Sequence, residues 1–268
     1  MFTSQTPPRV WLKGKQHRYS CFVLYTCVVL SKTIWRHSCP FLKKKAINRQ
    51  FERVSAEDVR RAAEYQAAIL ADVAGRRGTL HGRIKPLAPH MSVAGPAITV
   101  EVRPGDNLAI HAAMAVAQPG DVLVVDGKGD LSCALLGEIM ATQAQASGIA
   151  GIIIDGAVRD ADSLSKGHYP VFSAGLNPCG PTKLISGRVN HPISVAGATV
   201  QAGDLVVADI DGVVVIPRDE VQQVIALAKE KLEMETRRLA AIREGDLRPH
   251  WLDDALRKAG MLADGETL

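Results

Sequence analysis

"GEIMATQAQASGIAGIIIDGAVRD", residues 137–160, decides the fold. Its first half reads as a helix that Gly148 ends, and its second half as a strand, Ile149 to Asp155. Upstream, "QPGDVLVVDGKGD" (118–130) is a β-branched run entered through a Gly-Asp turn. Strand, helix, strand is the sequence form of a parallel crossover, so the chain is of the α/β class.

The crossover ends in a charged corner, Arg159 beside Asp160. Loops beyond the C-terminal ends of strands are where α/β sheets present ligand-binding groups. An arginine there can hold a carboxylate bidentately, and an aspartate suits a hard divalent cation such as Mg²⁺. Neighbours on an extended chain point to opposite sides, which predicts Arg159 for a substrate and Asp160 for a metal. On these two residues alone a solvated surface pair is the default reading, because isolated charges are usually hydrated. Gly137 to Met140 shift it. They open a helix 22 residues before Arg159, and the crossover would bring that N-terminus to the same sheet edge. Free backbone N–H groups there form an anion site, and Glu138 adds a carboxylate able to hold a water at the metal. Together these describe a pocket for a small oxo-acid.

Outward from this centre, "SAEDVRRAAEYQAAILADVAGRRG" (55–78) reads as one helix, capped by Ser55 with Asp58 three residues on and ended by Gly78. Strand texture begins at Ile84 and includes "AGPAITVEV". "QAGDLVVADIDGVVVIP" (201–217) echoes residues 118–130, and "RPGDNLAIH" (103–111) is a weaker third copy of the turn. Asp121 and Asp204 are therefore expected to serve turn geometry. A last helix, about Glu220 to Ile242, has the spacing of a packing or subunit-contact helix. The pattern predicts a mixed sheet flanked by helices.

The 268 residues carry a net charge of +4, but unevenly. Residues 1–50 hold ten Lys/Arg, no Asp or Glu, and seven of the twelve aromatic residues, which leaves residues 51–268 at −6. The acidic body gives no reason to expect nucleic acid, whose partners usually show a clustered basic face. "CFVLYTCVVL" (21–30) is too short to span a membrane and lacks a small-residue cleavage site after it. Residues 1–50 are thus expected to be a poorly ordered basic extension outside the domain, as an upstream misassigned start would produce; a targeting segment or a functional arm are the alternatives. The domain is expected over 51–245, with 246–268 as a tail. Five cysteines without a C-x-x-C pair favour free thiols and a cytoplasmic setting, with Cys133 and Cys179 as core fillers. Phosphate-loop, dinucleotide, zincin and G-x-S-x-G motifs are absent, and the eight histidines sit in no motif.

The stretch "GDVLVVDGKGDLSCALLGEIMATQAQASGIAGIIIDGAVRD" resembles the signature of the class II pyruvate aldolases related to the regulator of ribonuclease activity A (RraA). The likeness runs from about Ser55 to Arg218 and is specific at "GEIM" and "GAVRD". The family's enzymes are 4-hydroxy-4-methyl-2-oxoglutarate or 4-carboxy-4-hydroxy-2-oxoadipate aldolases with oxaloacetate decarboxylase side activity. The resemblance implies a β/β/α swivelling-domain fold, a homotrimer or hexamer, a small 2-oxo acid substrate and a divalent cation, Mg²⁺ or Mn²⁺. By position, it gives Gly137, Glu138, Ile139 and Met140 the substrate cradle, Arg159 the substrate, and Asp160 the metal. Family members often carry a further acidic residue shortly after this Asp; here Asp162 is followed by Ser163. Two rival readings go with the resemblance: a non-enzymatic regulator that binds a ribonuclease, and a methyltransferase. The methyltransferase lacks support from any Gly-rich adenosylmethionine loop.

Overall fold

The apolar run of the crossover feeds two cores at once. In the computed structural model, which describes residues 45–268, β4 (Gly151–Val158) is buried along its whole length. Ile152 and Ile154 point into one core, and Ile153 points through the opposite face into another. A strand covered on both faces has no reason to alternate with polar residues, which is why the sequence reads as continuous isoleucine.

The strands in chain order are β1 (Lys85–Pro86), β2 (Val93–Glu101), β3 (Val122–Leu136), β4, β5 (Val171–Leu176), β6 (Arg188–Val189), β7 (Ile193–Val195), β8 (Ala198–Val200), β9 (Leu205–Asp209) and β10 (Gly212–Ile216). The main sheet runs β1-β5-β4-β3-β2-β9-β10, with β6 also on β2, and β7–β8 form a separate hairpin. Strands β2 to β5 are parallel, whereas β1, β6, β9 and β10 join antiparallel, so the sheet is mixed. β2 changes partner along its length: Val93–Pro96 pairs with β9 and Ala97–Glu101 with β3.

The helices are α1 (Ala56–Ala62), α2 (Ala67–Val73), α3 (Leu108–Val116), α4 (Glu138–Ala146), α5 (Ala161–Lys166), α6 (Val221–Arg243) and α7 (Leu252–Lys258). α3 and α4 cover one face, contributing Ile110, Met114, Met140 and Ala144 to the first core. α1, α2 and α6 enclose a third core with β9 and β10. No helix among the described residues is long and apolar enough to cross a membrane.

Several local expectations change. The helix expected over 55–78 is two helices. Ser55 does cap the first, its Oγ accepting the Asp58 N–H at 3.0 Å, but Gln66 is extended and the Asp209 carboxylate caps the second helix by accepting the Ala67 N–H at 2.8 Å. A carboxylate 142 residues away starts the second helix, and no local signal contains it. Ala46–Leu268 form one compact unit. Ile47 bridges to Val189, and Asn48 and Asn190 exchange side-chain-to-backbone hydrogen bonds. The tail expected at 246–268 carries α7. Cys133 is buried as expected, but Cys179 is exposed on a loop; both are free thiols. The expectations for residues 1–44 lie outside the described residues. Asp121 and Asp204 serve their turns, accepting the N–H groups of Gln118 and Gln201; Asp121 also takes a bidentate pair from Arg53.

Candidate active site

Four segments meet beyond the C-terminal ends of β3 and β4. They are the β3–α4 junction (Leu135–Met140), the β4 exit (Arg159, Asp160), the start of α3 (Asn107, His111) and a loop after β5 (Pro181, Lys183). The cleft between them holds about 160 Å³. Five residues singled out by sequence, Gly137, Ile139, Met140, Arg159 and Asp160, line it.

The parallel register builds the junction. Leu136 pairs with Val158, and the Arg159 N–H donates to Leu136 O at 2.9 Å, so the β4 exit lies against the entry to α4. Asp160 then adopts a left-handed backbone conformation (φ +59°, ψ +37°) instead of an extended one. That overturns the expectation that neighbours diverge. The Asp160 carboxylate folds back, Oδ2 accepting the Glu138 N–H at 2.9 Å and lying 3.8 Å from Arg159 Nε. Gly137 makes the approach possible, because a Cβ there would collide with Asp160 Oδ2 and lie 2.9 Å from Arg159 Cγ.

α4 supplies further donors. Ala141 N–H makes the first intrahelical bond, to Gly137 O at 3.1 Å, which leaves Ile139 and Met140 N–H with no acceptor in their own helix. The Ile139 side chain is 79% exposed, and Glu138 is exposed at the cleft rim without lining it. The Glu138 backbone N–H bonds the cleft lining at Asp160, and its side chain stands at the rim.

Asp160 Oδ1 takes no hydrogen bond among the described residues, and no cluster of three or more His, Cys, Asp or Glu that could hold a metal ion occurs among them. A lone, half-open carboxylate oxygen is still a fitting donor for Mg²⁺ or Mn²⁺. Such ions keep several waters and complete their shell with substrate oxygens.

The opposite wall was not foreseen. Asn107 is 2% exposed; its Nδ2 donates to Leu135 O at 2.9 Å and contacts Met140 Sδ at 3.2 Å. Those contacts fix the amide so that Oδ1 is the free acceptor, and it has no partner. One turn on, the Nε2 of His111 is also buried without a partner. Burial, and then the Lys183 ammonium, hold the His111 pKa below its ordinary value. Lys183 is exposed and makes no ion pair among the described residues. Its loop is pinned by Asp106, whose Oδ2 accepts Leu184 N–H at 2.6 Å, Ile185 N–H at 3.1 Å and Thr182 Oγ1 at 2.7 Å. Asp106, Asn107 and His111 all belong to "RPGDNLAIH", the weak third copy of the Gly-Asp turn. Its departure from the other two copies, an Asn and a His after the Asp, was the available signal. Asp162 sits on the exposed face of α5 and pairs with Lys166 at 2.7 Å, away from the cleft.

A family model described as RraA-like, Aldolase/RraA, matches residues 58–215. A protein of Halalkalibacterium halodurans named "Putative 4-hydroxy-4-methyl-2-oxoglutarate aldolase" is 43% identical over 152 residues, 57% of this chain and 72% of that one. An uncharacterized protein from Pseudomonas syringae pv. tomato superposes with a TM-score of 0.66 at 29% identity, covering 73% of this chain and 92% of its own. Streptomyces coelicolor RraAS2, described as an unusual member of the RNase ES inhibitor RraA protein family, gives 0.61 at 31% identity, covering 70% and 99%.

Proposed function

The chain belongs to the RraA-like aldolase family, and from that premise we propose that it is a divalent-metal-dependent class II pyruvate aldolase. It cleaves 4-hydroxy-4-methyl-2-oxoglutarate or 4-carboxy-4-hydroxy-2-oxoadipate to pyruvate and pyruvate or oxaloacetate, and also decarboxylates oxaloacetate. The observation that carries this reading is the convergence of Arg159, the Asp160 carboxylate and the free N–H groups of α4 on one small cleft.

Asp160 would hold Mg²⁺ or Mn²⁺ through Oδ1, and the bound cation would act as a Lewis acid on the 2-keto acid. Arg159 binds the substrate carboxylate, and with the Ile139 and Met140 N–H groups it offsets the negative charge that grows as pyruvate enolate forms. The Arg159–Asp160 separation of 3.8 Å is too long for a tight pair, so the guanidinium remains available to a ligand. Glu138, at the rim, holds a water that exchanges the proton at C3. Lys183 on the far wall suits a second carboxylate, as both aldol substrates carry. No lysine Schiff base is needed.

Purified protein with Mg²⁺ should release pyruvate from oxaloacetate and from 4-hydroxy-4-methyl-2-oxoglutarate, and Asp160→Ala should lower both rates at least about 100-fold. No turnover by wild type, or undiminished turnover by Asp160→Ala, would end the proposal. The likeness to RraAS2 favours one second reading, a regulator that binds a ribonuclease through its surface. Ribonuclease capture in a pull-down, without metal-dependent turnover, would select it.

A further inference from the structure

We propose that Asn107 and His111 form a recognition and proton-transfer pair for the C4 hydroxyl of the aldol substrate, a role the decarboxylation of oxaloacetate does not need. This rests on the aldolase reading and adds to it a division of labour within the cleft.

The observation is a pair of unsatisfied atoms. Asn107 Oδ1 and His111 Nε2 are buried polar atoms without a hydrogen-bond partner among the described residues, and both residues line the same cleft as Arg159. A buried polar atom left unpaired costs about 1–3 kcal/mol, and such atoms occur where a ligand completes them. Chemistry limits what that ligand can be. The Asn107 amide is locked with its N–H₂ toward Leu135 O and Met140 Sδ, so Oδ1 can only accept. The His111 ring, held neutral, offers an acceptor nitrogen in one tautomer. Two acceptors one helical turn apart, both on residues lining the cleft, call for a donor, and a carboxylate cannot be one. A hydroxyl can. Both residues also sit on one rigid element, one turn apart, with His111 N–H donating to Asn107 O.

In retro-aldol cleavage the C4 hydroxyl must lose its proton as its oxygen becomes a carbonyl. The O–H donates to Asn107 Oδ1 on binding, then rotates to His111 Nε2, which takes its single proton. The O–H electron pair becomes the new C=O bond, the C3–C4 pair becomes the enolate double bond, and no redox change occurs. A water at Glu138 gives C3 its proton, and the proton held by His111 neutralises the hydroxide left behind. The sum is one hydroxy keto acid in and two keto acids out. Oxaloacetate has no C4 hydroxyl; its scissile group is a carboxylate, so its decarboxylation uses the enolate half of the site alone.

The test measures both reactions on the Mg²⁺-loaded enzyme. For His111→Gln, which keeps a polar side chain of similar size, the ratio of aldol cleavage to decarboxylation should fall about 100-fold, the low end for a lost general base. Asn107→Ser should lower the same ratio by about tenfold, with folding checked by thermal melting. Oxalate, a mimic of the pyruvate enolate, should bind His111→Gln within about twofold of wild type by calorimetry. An unchanged ratio in both variants, an equal loss of both reactions in a folded His111→Gln, or lost oxalate binding would overturn the assignment. Wild-type protein inactive on both substrates would instead remove the aldolase reading beneath it.

Discussion

Asp106 never touches the cleft, yet it holds one wall in place. Burial alone would raise its pKa, but hydrogen bonds from Leu184 and Leu108 N–H, Thr182 Oγ1 and Ile185 N–H outweigh that and bring it down to about 2 from 3.8. A carboxylate depressed in the folded state contributes stability that is complete above the unfolded value and is lost as pH falls through the folded one. The contribution is therefore intact above about pH 4 and disappears toward pH 2. Asp106→Asn should destabilise the protein by about 2 kcal/mol at pH 7, and the gap from wild type should close below pH 3 in denaturant titrations. Because the released loop carries Lys183, the same variant should raise KM more than it lowers kcat.

At the scale of elements, the site is a junction between a strand exit and a helix start, and its tolerance is set by one missing Cβ. Gly137 has an extended backbone (φ −145°, ψ −168°) that alanine accepts without strain, so any effect of substitution there is steric. Gly137→Ala must displace the Asp160 side chain, a flexible group, and break its bond to Glu138 N–H. The expected result is a drop of about 100-fold in kcat/KM with a melting temperature within a few degrees of wild type. A large loss of stability would show that backbone, not the carboxylate, had moved. This junction was legible in the sequence, because the β3–α4–β4 crossover is local and its periodicity gives both elements and their parallel pairing. What was not legible arrived from far along the chain. Asn107 and His111 meet the junction only because α3 packs over the same core, and Lys183 only because Asp106 reaches 78 residues ahead to Leu184. The split of the expected first helix has the same origin, in the Asp209 carboxylate. The divergence expected of Arg159 and Asp160 failed for a backbone reason: one left-handed residue reverses the direction that an extended chain would give.

For the molecule as a whole, one face of the sheet carries two helical layers: α3 and α4 cover it beside the cleft, and α1, α2 and α6 cover it over β9 and β10, while the other face shares a core with the β7–β8 hairpin. Charge is divided just as unequally. Residues 51–268 sum to −6, yet Arg159 and Lys183, which makes no ion pair among the described residues, both line the cleft. A dicarboxylate thus meets two cations together at the cleft. Capture of dianionic substrates should therefore depend on ionic strength, with kcat/KM falling severalfold between about 10 and about 300 mM salt as the Debye length contracts. Lys183→Gln should flatten that slope, because one of the two cations that draw the substrate to the cleft is gone.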